Sequence, residues 1–366
     1  MPFKSTAKTI NRRTLLKTSA GAGFAAASGL LGSPAIAQNR SISVGAYGGY
    51  FEDSLKEHVY PKFTEATGII VNSVTQPDST SWLQTMNQAL KAGNVPADLS
   101  MHTPLNLLKG ERLGGIFAPI NTGNVSGVDM VSEDFIHASD AGVLGVGVFS
   151  YYSSMVVNSD EVDPVPASWA EFWDTGRFEA SLGLPKNVNF KFLDVVAATF
   201  FGGVDALRSH DGIVATVEKA SELHPNVALW FSAESQMEQA LKNFDVVGGM
   251  YFHDVAGLMA SDGHPIASVF PKEGCPIDFN SWTLSVGSGK AAEAEEFIAF
   301  TSQPDIQSLM ARKIGTAPVI DPAKTDLTQE ELSAVAGTPA IKSPYEVYLD
   351  DETFITETWD RMVAKG

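Results

Sequence analysis

The residues of this chain that could do chemistry are few and widely separated. Cys275 is the only cysteine, and a nucleophilic cysteine needs an adjacent base and a lowered pKa, neither of which its neighbours offer. His253-Asp254 follows a predicted strand and is a candidate pair for a binding surface. None of the seven histidines forms a pair at metal-ligand spacing. These residues predict a binding protein without metal or cofactor rather than an enzyme.

Two further motifs match only part of a known pattern. Gly287-Ser288-Gly289-Lys290 lacks both the first glycine and the final Ser/Thr of a phosphate loop, so it is interpreted as a loop before a helix. Tyr151-Tyr152 is similar to the tyrosine pair of ferric-ion-binding transport proteins. Strand alternation points the two rings to opposite faces, which favours a core and hinge role.

An alternation of strands and helices must position these residues. The first strand, Ser41 to Tyr47, ends at Gly48-Gly49, where the glycines let a ligand approach the backbone closely. The pattern continues with helices at 50–67 and 79–92 and strands at 69–75 and 97–101. This is the pattern of a doubly wound α/β lobe, in which ligands bind beyond the carboxyl ends of the strands. Tyr47, Gly49 and Thr103 are therefore candidate site residues.

A second α/β block follows an uncharged run, Gly142 to Asn158, which is too long for one ordinary strand and suits a strand pair or a segment that crosses between domains. Residues 277–286 are interpreted as the chain crossing back. The block between them has predicted strands at 181–185, 228–231 and 246–252 and helices at 191–201, 211–223 and 235–243. We expect two α/β lobes around a binding cleft, with lobe 1 formed by residues 38–147 and 282–366 and lobe 2 by residues 148–281.

The first 37 residues have the features of an export signal. Asn11-Arg12-Arg13-Thr14-Leu15-Leu16-Lys17 is similar to a twin-arginine motif, and an Ala- and Gly-rich stretch leads to the small-x-small cleavage pattern Pro34-Ala35-Ile36-Ala37. Removing this segment, which carries five basic and no acidic side chains, changes the net charge from −18 to −23. Such an acidic surface argues against nucleic acid or anionic membranes as partners and could steer a cationic ligand. We expect a periplasmic protein.

The remaining chain resembles bacterial extracellular solute-binding proteins of the spermidine/putrescine type, which serve ABC importers. The resemblance rests on the order and spacing of short motifs: Tyr47-Gly48-Gly49, Pro61-Lys62-Phe63, Thr67-Gly68-Ile69, Ala97-Asp98, Pro166 to Asp174, Pro225-Asn226-Val227, Pro271-Lys272-Glu273-Gly274, Phe297 to Phe300 and Gly315-Thr316-Ala317-Pro318. It implies a two-lobed type II periplasmic binding fold with a crossover hinge. It also implies a monomeric receptor that carries a small solute to an inner-membrane ABC permease.

The resemblance also implies positions for the binding site. The family's covering aromatic corresponds to Tyr47, and its later Trp to Phe252, with Asp254 two residues on. The acidic pair that holds a polyamine falls near Asn187 and Phe190, which are not acidic. The candidate ligand-binding residues are Tyr47, Gly49, Thr103, Asn187, Phe252, His253, Asp254, Asp278 and Asn280.

The supply of carboxylates limits which amine could bind. A buried ammonium needs an anionic partner, and Asp254 and Asp278 are the two candidates at predicted strand ends. A small solute with one cationic or amide group is therefore easier to accommodate than a full polyamine. Two alternatives remain open. One is a ferric-ion receptor, which needs tyrosines and acids or His converging in the cleft, and the other is a thiaminase-like enzyme, which needs Cys275 there.

Overall fold

The computed structural model describes residues 40–77 and 79–365, so the predicted export signal lies outside the described residues. Twelve strands are assigned in this part of the chain. They are β1 Ser41–Tyr47, β2 Ile70–Gln76, β3 Leu99–His102, β4 Phe117–Ala118, β5 Ile136–Ser139, β6 Gly142–Asn158, β7 Leu182–Pro185, β8 Val227–Phe231, β9 Gly248–Phe252, β10 Ile266–Val269, β11 Cys275–Ser285 and β12 Ala340–Lys342. The strands predicted from alternation agree with these bounds to within about two residues.

Fourteen α-helices are assigned in the same part of the chain. They are α1 Tyr50–Ser54, α2 Tyr60–Thr67, α3 Ser79–Lys91, α4 Pro104–Leu113, α5 Thr175–Phe178, α6 Phe192–Phe200, α7 His210–Ser221, α8 Glu234–Lys242, α9 His253–Ser261, α10 Ala291–Thr301, α11 Pro304–Ile314, α12 Gln329–Val335, α13 Tyr345–Asp350 and α14 Glu352–Val363. A π-helical segment, Leu55–Val59, joins α1 to α2, so the predicted 50–67 helix is one helical run. No helix among the described residues is long and apolar enough to cross a membrane.

The strands form one sheet in the order β2-β1-β3-β11-β6-β9-β7-β8. Pairing is parallel at both ends of the sheet, between β1 and its two neighbours and between β7 and its two neighbours. The long strands β6 and β11 pair antiparallel in the middle of the sheet. The first part of β6 pairs with β11 and its last residues, from Ser153, pair with β9. The 142–158 run is thus a single strand that passes from one half of the sheet to the other.

Helices cover both faces of each half of the sheet, which is the doubly wound arrangement expected from the sequence. In the first half, Phe63 of α2 and Phe297 of α10 pack edge to face with ring centroids 4.9 Å apart, beside the fully buried Trp282 of β11. In the second half, Trp169 and Phe192 anchor the largest core. The two halves, called lobe 1 and lobe 2 from here on, therefore have separate hydrophobic cores.

The C-terminal helices pack differently from the expected division. Residues 282–366 are all expected in lobe 1, and α10 and α11 do pack into the lobe 1 core. In contrast, α13 and α14 pack against lobe 2, where the indole N–H of Trp359 donates to the Lys186 carbonyl at 2.8 Å. The amphipathic pattern of α14 indicates that one face is buried but does not say which lobe buries it.

Candidate functional site

A pocket of about 390 Å³ opens at the carboxyl ends of the strands, between the two lobes. Lobe 1 contributes side chains at or just after the ends of β1, β3 and α11. Lobe 2 contributes side chains at or just after the ends of β8 and β9. We call this the cleft pocket. It is lined by Tyr47, Phe51, Thr103, Phe149, Tyr151, Glu234, Phe252, Asp254, Val255, Asn280, Ile314 and Thr316. The pocket therefore lies where open α/β sheets bind their ligands.

Five aromatic rings that line the cleft pocket form a continuous arc of ring contacts. The ring centroids are 6.4 Å apart from Tyr47 to Phe51, 5.0 Å from Phe51 to Phe149, 6.3 Å from Phe149 to Tyr151 and 5.8 Å from Tyr151 to Phe252. Each pair is tilted or edge to face, so some ring faces remain available to a ligand. The arc can hold methylene groups and can stabilise a cation over a ring face.

Two carboxylates, those of Asp254 and Glu234, line the cleft pocket. Asp254 is in the first turn of α9, and desolvation raises its pKa from 3.8 to about 6. Glu234 begins α8, and its pKa is raised first by desolvation and then by the charge of Asp254. No basic side chain lines this pocket. The two carboxylates therefore lack a counter-ion in the pocket, and a bound cation would supply one.

Lobe 1 supplies polar groups to the cleft pocket. The Tyr47 hydroxyl donates a hydrogen bond to Asn280 Oδ1 at 2.8 Å, which links the end of β1 to β11. Thr103 precedes α4, and its hydroxyl oxygen accepts a hydrogen bond from the Asn106 amide at 3.1 Å. Gly315 ends α11 with φ +82°, and a Cβ at this position would lie 3.6 Å from Asp254 Cβ. The two lobes therefore approach each other closely at Asp254.

Five of the nine candidate site residues line the cleft pocket: Tyr47, Thr103, Phe252, Asp254 and Asn280. Three others lie elsewhere. Gly49 is exposed at the start of α1, and the exposed Asn187 uses its side chain to cap a short turn by accepting from the Asn189 amide. His253 is buried, and its ring nitrogens contact Ser268 Oγ at 2.7 Å and the Ser333 carbonyl at 3.0 Å. Desolvation lowers the pKa of His253, so the ring is a neutral structural group.

Asp278, the ninth candidate, lies in a separate cavity and does not converge with Asp254. It accepts hydrogen bonds from the Tyr345 hydroxyl at 2.9 Å and from the Phe279 amide at 2.8 Å. This cavity shares the rings of Tyr151 and Phe252 with the cleft pocket. Asp278 and Asn280 are two residues apart on β11, or about 7 Å along the strand, which explains why they line different cavities.

Sequence reasoning missed seven of the twelve residues that line the cleft pocket, among them Glu234 and Tyr151. Glu234 stands three residues after the end of β8, so the rule that pointed to Thr103 also covers it. Alternation on β6 does separate the two tyrosines as expected, and the Tyr152 ring packs on Phe270 with centroids 5.3 Å apart. The sequence did not indicate which of the two faces is the cleft face. That depends on how β6 pairs with β11 and β9.

The two alternative chemistries lack support at this site. Cys275 is fully buried in the lobe 2 core, its Sγ contacts the Val269 carbonyl at 3.6 Å, and burial raises its pKa to about 12. For iron, Tyr47 and Tyr151 do line the pocket, but burial and nearby acidic groups raise the pKa of Tyr151 well above its usual value. In residues 40–77 and 79–365, no three His, Cys, Asp or Glu groups are placed to hold a metal ion.

The family follows from a direct comparison with protein-family models. Residues 59–336 match the model described as bacterial extracellular solute-binding protein, which is more than half of the chain. The chain belongs to this family.

Individual relatives agree with the family. The chain is 27% identical to a gamma-aminobutyric acid-binding protein of Pseudomonas aeruginosa, over 77% of this chain and 78% of the relative. It is 26% identical to the spermidine/putrescine-binding periplasmic protein of Escherichia coli, over 57% of this chain and 56% of that protein. Among solved structures, an ABC transporter substrate-binding protein of Bradyrhizobium japonicum matches with a TM-score of 0.76 at 17% identity, covering 88% of this chain and 99% of the other. This last match confirms the two-lobed periplasmic binding fold.

Proposed function

We propose that this solute-binding protein is the receptor of an ABC importer and binds a small amine-containing solute in the cleft pocket. The observation that carries the proposal is the pairing of Asp254 with Glu234 beside an aromatic arc, without a basic side chain in the lining. An ammonium group satisfies both features, because it is attracted to carboxylates and to ring faces. A neutral or anionic solute would supply no counter-ion to the half-buried Asp254 or to Glu234.

The energetics of such a site are adequate for a receptor. Micromolar affinity corresponds to about −8 kcal/mol. A hydrogen bond to a charged group contributes about 1.5–3 kcal/mol and a cation–π contact about 0.5–2 kcal/mol. Two carboxylates and one ring face therefore supply about 3.5–8 kcal/mol. The methylene groups of the solute, buried against Phe51, Phe149 and Phe252, would supply the rest.

The relatives support the same ligand chemistry and the same transport role. One is named for gamma-aminobutyric acid and the other for spermidine and putrescine, all of which carry primary amines. The second is named as a periplasmic protein. With the twin-arginine motif around Arg12-Arg13, this favours a role in the periplasm, where a monomeric receptor would deliver its solute to an inner-membrane permease. In this role the protein binds and releases its solute unchanged.

Calorimetry on the purified protein can test the amine site. A linear alkylamine should bind, and the alcohol of the same length should not. Asp254→Asn should weaken amine binding about tenfold or more, because one charge-assisted hydrogen bond is worth more than 1.4 kcal/mol. Glu238→Gln is the matched control, since Glu238 lies one turn after Glu234 on α8 and pairs with Lys242 at 2.5 Å. Equal binding of amine and alcohol, or full affinity in Asp254→Asn, would rule out an ammonium at this position.

A further inference from the structure

A second cavity, of about 160 Å³, adjoins the cleft pocket on the lobe 2 side. We call it the Lys191 compartment. It is lined by Tyr151, Ser153, Asn189, Phe190, Lys191, Phe252, Pro276 and Asp278. The rings of Tyr151 and Phe252 belong to both cavities, so they form the boundary between them. A solute with two functional groups joined by a carbon chain could extend along these rings from one cavity into the other.

The ammonium of Lys191 makes no hydrogen bond to any described residue. The side chain is 4% exposed, and the buried Nζ lies 3.6 Å from the centroid of the Tyr348 ring and 5.3 Å from that of Tyr345. Its backbone has φ +67°, a left-handed conformation that costs a lysine about 1 kcal/mol or more. Desolvation lowers its pKa. Lys191 lines the compartment and its buried Nζ has no hydrogen-bond acceptor among the described residues, so it could donate to an anionic group of a solute that reaches it.

The two nearest carboxylates have other hydrogen-bond donors. Asp194 accepts from the hydroxyls of Ser343 and Tyr348, both at 2.5 Å. Asp278 accepts from the Tyr345 hydroxyl and from a backbone amide. Both carboxylates lie close enough to favour the charged form of Lys191, yet neither accepts a hydrogen bond from it. The charge of Lys191 is thus compensated while its donors remain available.

We propose that Lys191 binds the carboxylate of a solute whose ammonium lies between Asp254 and Glu234. This inference rests on the proposed function and narrows it to ω-amino acids. Asn280 lines the cleft pocket and Asp278 lines the Lys191 compartment, and the two residues are about 7 Å apart on β11. An α-amino acid carries its ammonium and its carboxylate on the same carbon, so it could not place one group in each cavity. A diamine would place its second ammonium against Lys191.

Calorimetry with matched ligands tests the inference. The ligands are ω-amino acids of increasing chain length, each compared with the monoamine and the diamine of the same length and with the isomeric α-amino acid. One ω-amino acid should bind at least about tenfold more tightly than its three counterparts. Lys191→Met should remove this preference and leave the monoamine affinity unchanged. Lys186→Met is the matched control, because Lys186 is an exposed lysine five residues earlier.

The outcomes separate this inference from the proposed function. If a diamine or monoamine binds as tightly as every ω-amino acid, Lys191 does not receive a carboxylate, while an amine site that depends on Asp254 stands. If the ω-amino acid preference persists in Lys191→Met, the preference arises elsewhere and the inference is wrong. If Lys191→Met does not fold, the ligand affinities of the wild-type protein and of Lys191→Gln still test whether Lys191 binds the carboxylate of the solute. If no amine binds at all, the proposed function falls as well.

Discussion

The replacement Asp254→Asn should stabilise the ligand-free protein at neutral and alkaline pH. In the folded protein Asp254 titrates at about pH 6, compared with 3.8 for an unperturbed aspartate. Each pKa unit corresponds to about 1.4 kcal/mol, so keeping this carboxylate ionised in the folded state costs at most about 3 kcal/mol. Asparagine has nearly the same shape and carries no charge. The variant therefore avoids this cost.

The sign of the pH dependence of the free energy of unfolding is diagnostic for this effect. Between pH 3.8 and about 6 the folded wild-type protein holds a proton on Asp254 that the unfolded chain has released. Its free energy of unfolding therefore falls as the pH rises through this window and stays lower above it. The variant lacks this contribution. Its advantage should be about 0.5 kcal/mol at about pH 4 and should reach about 2–3 kcal/mol at about pH 8.

Urea unfolding of both proteins at several pH values measures this difference. Asp262→Asn, an exposed aspartate that follows the same helix, is the control and should show no such trend. A saturating amine ligand should reverse the order, because it binds the wild-type protein and stabilises its folded state. A difference between Asp254→Asn and wild type that stays constant with pH would refute the reasoning. So would a variant that is less stable at about pH 8.

Three further perturbations test other parts of the site and its support. Tyr47→Phe removes the hydrogen bond to Asn280 and should weaken amine binding by a factor of about 2–10, as measured by calorimetry; full affinity would show that the bond does not position the ring. Gly315→Ala should lower the free energy of unfolding by about 1–2 kcal/mol because φ is +82°, whereas Gly289→Ala should be neutral in the same urea titration. Cys275 should react with a thiol reagent only after unfolding, because it is buried and its pKa is raised to about 12; rapid labelling of the native protein would contradict its burial.

The sequence predicted the elements of the fold well because their signals are local. Alternation over Ser41–Tyr47 and helical spacing over residues 50–67 each depend on neighbouring residues, and both agree with the structure. The positions of Tyr47 and Thr103 also followed, because the carboxyl ends of parallel strands meet at one edge of a sheet. The missed Glu234 obeys the same rule.

What the sequence alone determined is the α/β alternation and the strand ends from which the cleft pocket is built. It left residues 142–158 open between a strand pair and a crossing segment, and the structure shows one long strand, β6. Only the tertiary structure decided which side chains meet there. The pairing of β6 with β11 and β9 turned Tyr151 toward the cleft and placed Asp278 in the neighbouring compartment, near Lys191 and Tyr345. The buried face of α14 matched either lobe, and packing placed it on lobe 2. Strand register and the partner of a helix depend on residues distant in sequence, so no local pattern contains them.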